Sequence, residues 1–226
     1  MKRMISLVVG ALVMGTMAFG QVYSQNAVGY VKKTINPGEF AYIQNPFVKI
    51  DGSGDFTVSE MLPDVPNGTT VLTWDTANQA YVGTTKNFLG AWPQDPAIAR
   101  GEAFFVQMSP TASGPQLIYL LGEVPGNTTY ASTDIPLVEG FTAVGVPYPV
   151  ATTIEDSGLN AALPNNSSIL LWDVNTQGYL GVTKNFLGAW APANTMIEPG
   201  DGFFVSLPDP AGATYTEVPG YDYPDN

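Results

Sequence analysis

The stretch VLTWDTANQAYVG (Val71–Gly83) decides the fold. Two runs rich in β-branched and aromatic residues flank four residues, Thr76 to Gln79, of turn character, and this reads as an antiparallel hairpin with Trp74 opposite Tyr81. The pattern returns 98 residues later, where Trp172, Asp173, Gln177, Tyr179 and Gly181 repeat Trp74, Asp75, Gln79, Tyr81 and Gly83. Aromatic cross-strand pairs contribute ~0.2–1 kcal/mol each and fix the register, so Trp74, Tyr81, Trp172 and Tyr179 are read as structural hairpin aromatics.

Each hairpin runs into the same eight residues, TKNFLGAW, at Thr85–Trp92 and again at Thr183–Trp190. Further out, Phe40 and Pro46 match Phe141 and Pro147, and Leu62-Pro63 matches Leu163-Pro164. Gly101, Phe104, Phe105 and Val106 match Gly200, Phe203, Phe204 and Val205, and EVPG closes both units. The repeat implies a tandem duplication, with unit one at 21–125, unit two at 126–220 and an acidic tail at 221–226.

Within unit one, NAVGYVKKTI, FAYIQNPF, TTVLTWD, QAYVG, EAFFVQM and QLIYLLGEV each have the composition of a short strand, and the 24 Gly and 19 Pro of the chain supply turns between them. The expectation is an all-β chain of two tandem homologous antiparallel domains, each a β-sandwich or small barrel. Helix is confined to TVSEML, where Thr57 and Glu60 have capping-box spacing, and IEDSGLNAAL, where Asp156 is placed to cap.

The first twenty residues begin with Lys2 and Arg3, continue as an apolar run to Phe19 and close on small residues, the pattern of a secretory signal peptide. No other run approaches the ~20 apolar residues that a membrane span requires, so no membrane insertion of the mature chain is expected. The chain has no Cys, which excludes disulfides and a lipidated cysteine. Without Lys2 and Arg3, six basic side chains face twenty acidic ones, a formal charge of −14. Such a surface disfavours nucleic acid and anionic lipid.

Each unit combines a GEF or EGF stretch leading to NPF or VPY, a WD-x4-QxY hairpin and a strand of the PGDGFFV type. In this the chain resembles exported repeat proteins of Verrucomicrobia-like and Kiritimatiella-like bacteria, over nearly all of the mature sequence. The resemblance implies a surface or extracellular location and no assigned chemistry. Unit one departs from the pattern at Arg100, where unit two has Pro199.

TKNFLGAW admits three readings. Lys86 and Lys184 neutralise a buried carboxylate such as Asp75 or Asp173; Lys, Asn and Trp face a ligand, with Trp stacking on a sugar; or the motif forms a subunit interface. Lys86, Asn87, Trp92, Lys184, Asn185 and Trp190 are therefore the binding or interface candidates.

With neither His nor Cys, Ser-His-Asp triads, Cys-His dyads and ordinary zinc sites are ruled out. Carboxylate-pair glycosidase chemistry survives on Asp75, Asp173, Glu102 and Asp201. DGSGDF (Asp51–Phe56) opens like a calcium loop but has Leu62 where the last acidic ligand belongs, so no metal site is assigned. Asn67, Asn127, Asn165 and Asn166 begin glycosylation-type sequons that read as turn residues.

The sequence thus predicts a secreted, non-enzymatic structural or adhesive protein with no cofactor, extracellular or at the cell surface, with the periplasm as the other compartment. Self-association or extracellular polysaccharide is the expected partner. The first strand, VYSQNAVGYVKKTI, is expected to dock in its own unit or on the sheet edge of a neighbour.

Overall fold

Residues 27–126, 129–208 and 212–222 are described by a computed structural model; the leader at 1–20, the sequon at Asn127 and residues 223–226 of the tail lie outside them. The first half contains β1 (Val28–Ile35), β2 (Phe40–Gln44), β3 (Phe56–Thr57), α1 (Val58–Met61), β4 (Thr70–Asp75), β5 (Ala80–Thr85), β6 (Ala97–Ile98), β7 (Ala103–Gln107) and β8 (Gln116–Glu123). The second contains β9 (Thr133–Leu137), β10 (Gly140–Gly145), β11 (Thr152–Thr153), α2 (Gly158–Ala162), β12 (Ser168–Asp173), β13 (Gly178–Lys184), β14 (Trp190–Ala191), β15 (Met196–Ile197), β16 (Gly202–Leu207) and β17 (Ala213–Glu217). Every ladder between these strands is antiparallel, and the chain is all-β.

Within each half the first strand pairs with the last, β1 with β8 and β9 with β17. Each such ribbon covers one face of a central sheet, ordered β2-β7-β4-β5 in the first half and β10-β16-β12-β13-β14 in the second. Side chains that alternate inward close the cores. Val31, Ile35, Ile118 and Leu120 of the first ribbon meet Ile43, Val71, Phe104 and Val106 of the sheet, with Val58 and Met61 of α1 at one end. Ile135, Leu137 and Tyr215 meet Val144, Ile169, Phe203 and Val205 in the second half.

β1 lies on its own β8 at all eight positions, so this strand is docked within its half rather than offered to a neighbour. The capping box of α1 forms as its sequence predicts, with Thr57 accepting from the Glu60 amide and the Glu60 carboxylate accepting from the Thr57 amide. α2 corrects the expectation for Asp156, whose carboxylate accepts from the Thr153 hydroxyl instead. The Gly158 amide that opens α2 donates to Glu217 on β17, a residue 59 positions away. α2 lies against β17, so its first amide faces protein and takes the nearest buried carboxylate.

The second face of each central sheet is buried against the other half. Phe104 points into the first core while Phe105 points out, and Phe203 and Phe204 divide in the same way. Between the sheets Phe105 and Phe204 join Tyr42 and Ala143, with Trp74 and Trp172 packed alongside. Burial on both faces explains why AFFV and GFFV read as unbroken apolar runs rather than alternating ones.

The backbones cross closely at the corner of these sheets. Gln44 donates from its amide to the Gly200 carbonyl, and Gly145 donates to the Gly101 carbonyl. A Cβ on Gly145 would lie 2.7 Å from the Gln44 Cβ, and one on Gly202 would lie 2.8 Å from the Ala103 Cβ. The larger residue is on the first half at both contacts, Gln44 against Gly145 and Ala103 against Gly202.

Candidate functional site

The two hairpins fold in the register that the sequence predicts. Trp74 pairs with Tyr81 and Trp172 with Tyr179, with ring centroids 4.9 and 5.0 Å apart. These residues also hold the halves together. Gln79 ends the first turn in a left-handed conformation, and its side-chain amide accepts from Phe141 N at 2.7 Å and donates to Phe141 O at 2.9 Å. Gln177 grips Phe40 in the same way, at 2.8 and 3.1 Å. The Trp74 and Trp172 indoles donate to the same two carbonyls, and the hydroxyls of Tyr81 and Tyr179 meet at 3.0 Å. Each hairpin thereby covers backbone groups on the edge strand of the other half.

The far end of each hairpin strand enters TKNFLGAW, and the two loops have the same hydrogen bonds. Asn87 accepts through its side-chain oxygen from the amides of Leu89 and Ala91, and Asn185 accepts from those of Leu187 and Ala189. Gly90 and Gly188 take left-handed conformations that a side chain would strain. From outside, Asn67 donates to the Phe88 carbonyl and Asn165 to the Phe186 carbonyl, which gives these two sequon residues a structural task.

Both lysines correct the expected pairing with acids. Lys86 and Lys184 are only 8% and 9% exposed, and neither meets Asp75 or Asp173. Lys86 Nζ donates to the carbonyls of Pro63 and Val65, just past α1, at 2.7 and 2.9 Å. Lys184 Nζ donates to the carbonyls of Asn160 and Leu163 at the end of α2, at 2.6 and 2.9 Å. Carbonyls at a helix end lack intrahelical donors, and an ammonium on the adjoining strand satisfies two at once.

Trp190 has no exposed face to offer a sugar. Trp190 is 5% exposed within the second core, and its indole donates to the Asn160 side chain. Trp92 is half-buried against the first core. Lys, Asn and Gly of the motif thus build the loop, and Trp190 fills the second core.

Two residues per loop remain. Phe88 and Leu89 are 85% and 77% exposed, and Phe186 and Leu187 are 76% and 78% exposed. They form an apolar tip on a loop held rigid by the bonds above, and no core residue depends on them. No protein-family model matches this chain, and no curated protein and no solved structure matches it either. What the tips do rests on their own geometry.

The four carboxylates available for glycosidase chemistry are each engaged by a partner within the protein. Hydrogen bonds from the Asn78 side chain and amide hold the Asp75 carboxyl below its ordinary value, and the Asn175 amide and Thr176 hydroxyl do the same for Asp173. Asp201 pairs with Lys33 across the halves. In DGSGDF, Asp51 accepts from the Ser53 amide in a local turn. Among the described residues no three His, Cys, Asp or Glu come together as a metal site.

Glu102 is the exception in its titration. Burial pushes its carboxyl above the ordinary value, although the Ala99 amide donates to it. An acid whose folded pKa is raised destabilises the fold once pH exceeds its unfolded value, and the cost is relieved as pH falls. Glu102→Gln keeps an acceptor for Ala99 and removes the charge. The variant is expected to melt above the wild type at pH 7, with the gap closing near about pH 4 in paired thermal melts.

Sequence reasoning missed the tips and the clamping glutamines. A signal for the tips was present: Phe-Leu between Asn and Gly is apolar where a loop is ordinarily polar. The glutamines gave none, since their partners lie 62 and 137 residues away.

Proposed function

We propose that this chain is an exported, non-catalytic structural or adhesive protein, a tandem duplication of one β-unit, that acts in a surface layer, matrix or filament by apolar contact. The observation that carries the reading is the pair of rigid loops that lift Phe88-Leu89 and Phe186-Leu187 into water. Exposed apolar pairs that packing does not require mark interaction sites when they are held rigidly, because little entropy is lost on docking. Burying a Phe or a Leu side chain is worth ~1.5–3 kcal/mol. One tip therefore supplies a weak contact, and two tips per chain let avidity do the rest.

Sedimentation velocity over a concentration series, on the chain from Gln21, is the test. The wild type is expected to assemble beyond the monomer, and the variant with Ser at 88, 89, 186 and 187 to remain monomeric with an unchanged melting temperature. A wild type that stays monomeric, or a variant that assembles equally well, would sink the proposal.

A further inference from the structure

The two hairpins meet each other as well as the opposite edge strands. Tyr81 and Tyr179 hold the same place in β5 and β13, opposite Trp74 and Trp172, and lie 98 positions apart, the offset at which TKNFLGAW recurs. Because Gln79 reaches Phe141 while Gln177 reaches Phe40, the hairpins cross reciprocally, and residues of equal place meet on the axis between them. The two hydroxyls are hydrogen-bonded there at 3.0 Å.

This bond is not what folds the hairpins. Each tyrosine ring already packs edge-on against its own tryptophan. Tyr81 also lies 6.0 Å from Phe105 and 6.2 Å from Phe204, and Tyr179 lies 6.3 and 6.2 Å from the same two rings. Phe at either position would keep these contacts. A hydroxyl pair on residues that are each 44% exposed exchanges its bond with water and adds little to stability. What the hydroxyls add is reactivity. A phenol can lose one electron and one proton to leave a radical spread over the oxygen and the two ring carbons beside it. The 3.0 Å contact holds those carbons of the two rings within a small swing of each other, and the exposure leaves both open to a small oxidant.

We propose that Tyr81 and Tyr179 are an oxidative cross-linking site, at which hydrogen peroxide and a haem peroxidase join the two halves through a dityrosine bond. Each phenol gives up one electron and one proton, and the two radicals couple through a ring carbon beside each oxygen. The hydrogen on each coupled carbon then moves to its oxygen and restores the hydroxyl. Two electrons and two protons leave in all, and they reduce one peroxide to two waters. The bond closes a loop of 98 residues in a chain that has no Cys with which to form a disulfide. It is independent of the tips and of whether the chains assemble.

The test treats the chain from Gln21 with hydrogen peroxide and a haem peroxidase, followed by intact mass, peptide mapping and thermal melts. The monomer is expected to lose two hydrogens in mass, to gain dityrosine fluorescence and to yield one linked pair of peptides that contain Tyr81 and Tyr179. Its melting temperature is expected to rise by about 10 °C, the effect of cross-linking a loop of this length. Tyr81→Phe and Tyr179→Phe are each expected to melt with the untreated wild type and to lose the cross-link. Tyr30 and Tyr119, exposed on the β1–β8 ribbon with ring centroids 6.2 Å apart, are the internal comparison. A link at that pair in place of Tyr81 and Tyr179, links only between chains, or oxygen added to Trp74 and Trp172 with no link at all would overturn the assignment.

Discussion

Phe204→Ala is expected to lower the melting temperature by about 10 °C, the consequence of ~3–5 kcal/mol lost on truncating a buried Phe in a chain of this size. The ring of Phe204 is 5.0 Å from Trp74, 5.2 Å from Tyr42 and 6.2 Å from Tyr81 of the first half. It is also 5.7 Å from Phe141 and 6.2 Å from Tyr179 of its own half. Its removal therefore opens a hole between the sheets and leaves both cores whole. Differential scanning calorimetry is expected to show one transition in the wild type and two in the variant, as the halves cease to unfold together. Phe203→Ala, one residue earlier but inside the second core, is the control and is expected to weaken that half alone. An unchanged single transition for Phe204→Ala would show that the aromatic layer does not couple the halves.

Gly158→Ala is expected to be at least as damaging, at roughly 4 kcal/mol or more. A Cβ on Gly158 would lie 1.8 Å from the carbonyl oxygen of Thr216, a backbone atom of β17 that cannot swing aside. α2 must lift from β17, and the bond from the Gly158 amide to Glu217 goes with it. Glu217 is buried and also accepts from the Tyr215 hydroxyl at 2.7 Å, so the shift disturbs a second buried polar group. Ala is ordinarily a better helix residue than Gly by about 1 kcal/mol, so a stabilised variant in urea unfolding would contradict this account.

Gly158 also shows where reading the sequence stops. TVSEML contains its whole capping box within four residues, and the cap is therefore legible there. In IEDSGLNAAL the nearby Asp156 has the right chemistry, but the carboxylate that meets α2 comes from the last strand. The TKNFLGAW lysines follow the same rule. Their pairing with acids was one of three readings, and the choice of carbonyls just past the helices over Asp75 or Asp173 depends on which atoms the hairpin brings near.

By itself, the sequence determined the all-β class, the principal strands, and the Trp74–Tyr81 and Trp172–Tyr179 registers. These follow from side-chain periodicity and turn chemistry, which act over a few residues. Only the tertiary structure decided that Gln79 and Gln177 clamp the opposite half, that Phe105 and Phe204 face each other, and that the motif tryptophans turn inward. It also decided that Phe88, Leu89, Phe186 and Leu187 stay in water. Each of these depends on which face of a loop or sheet meets a surface far away in the chain, and local periodicity carries no record of that surface.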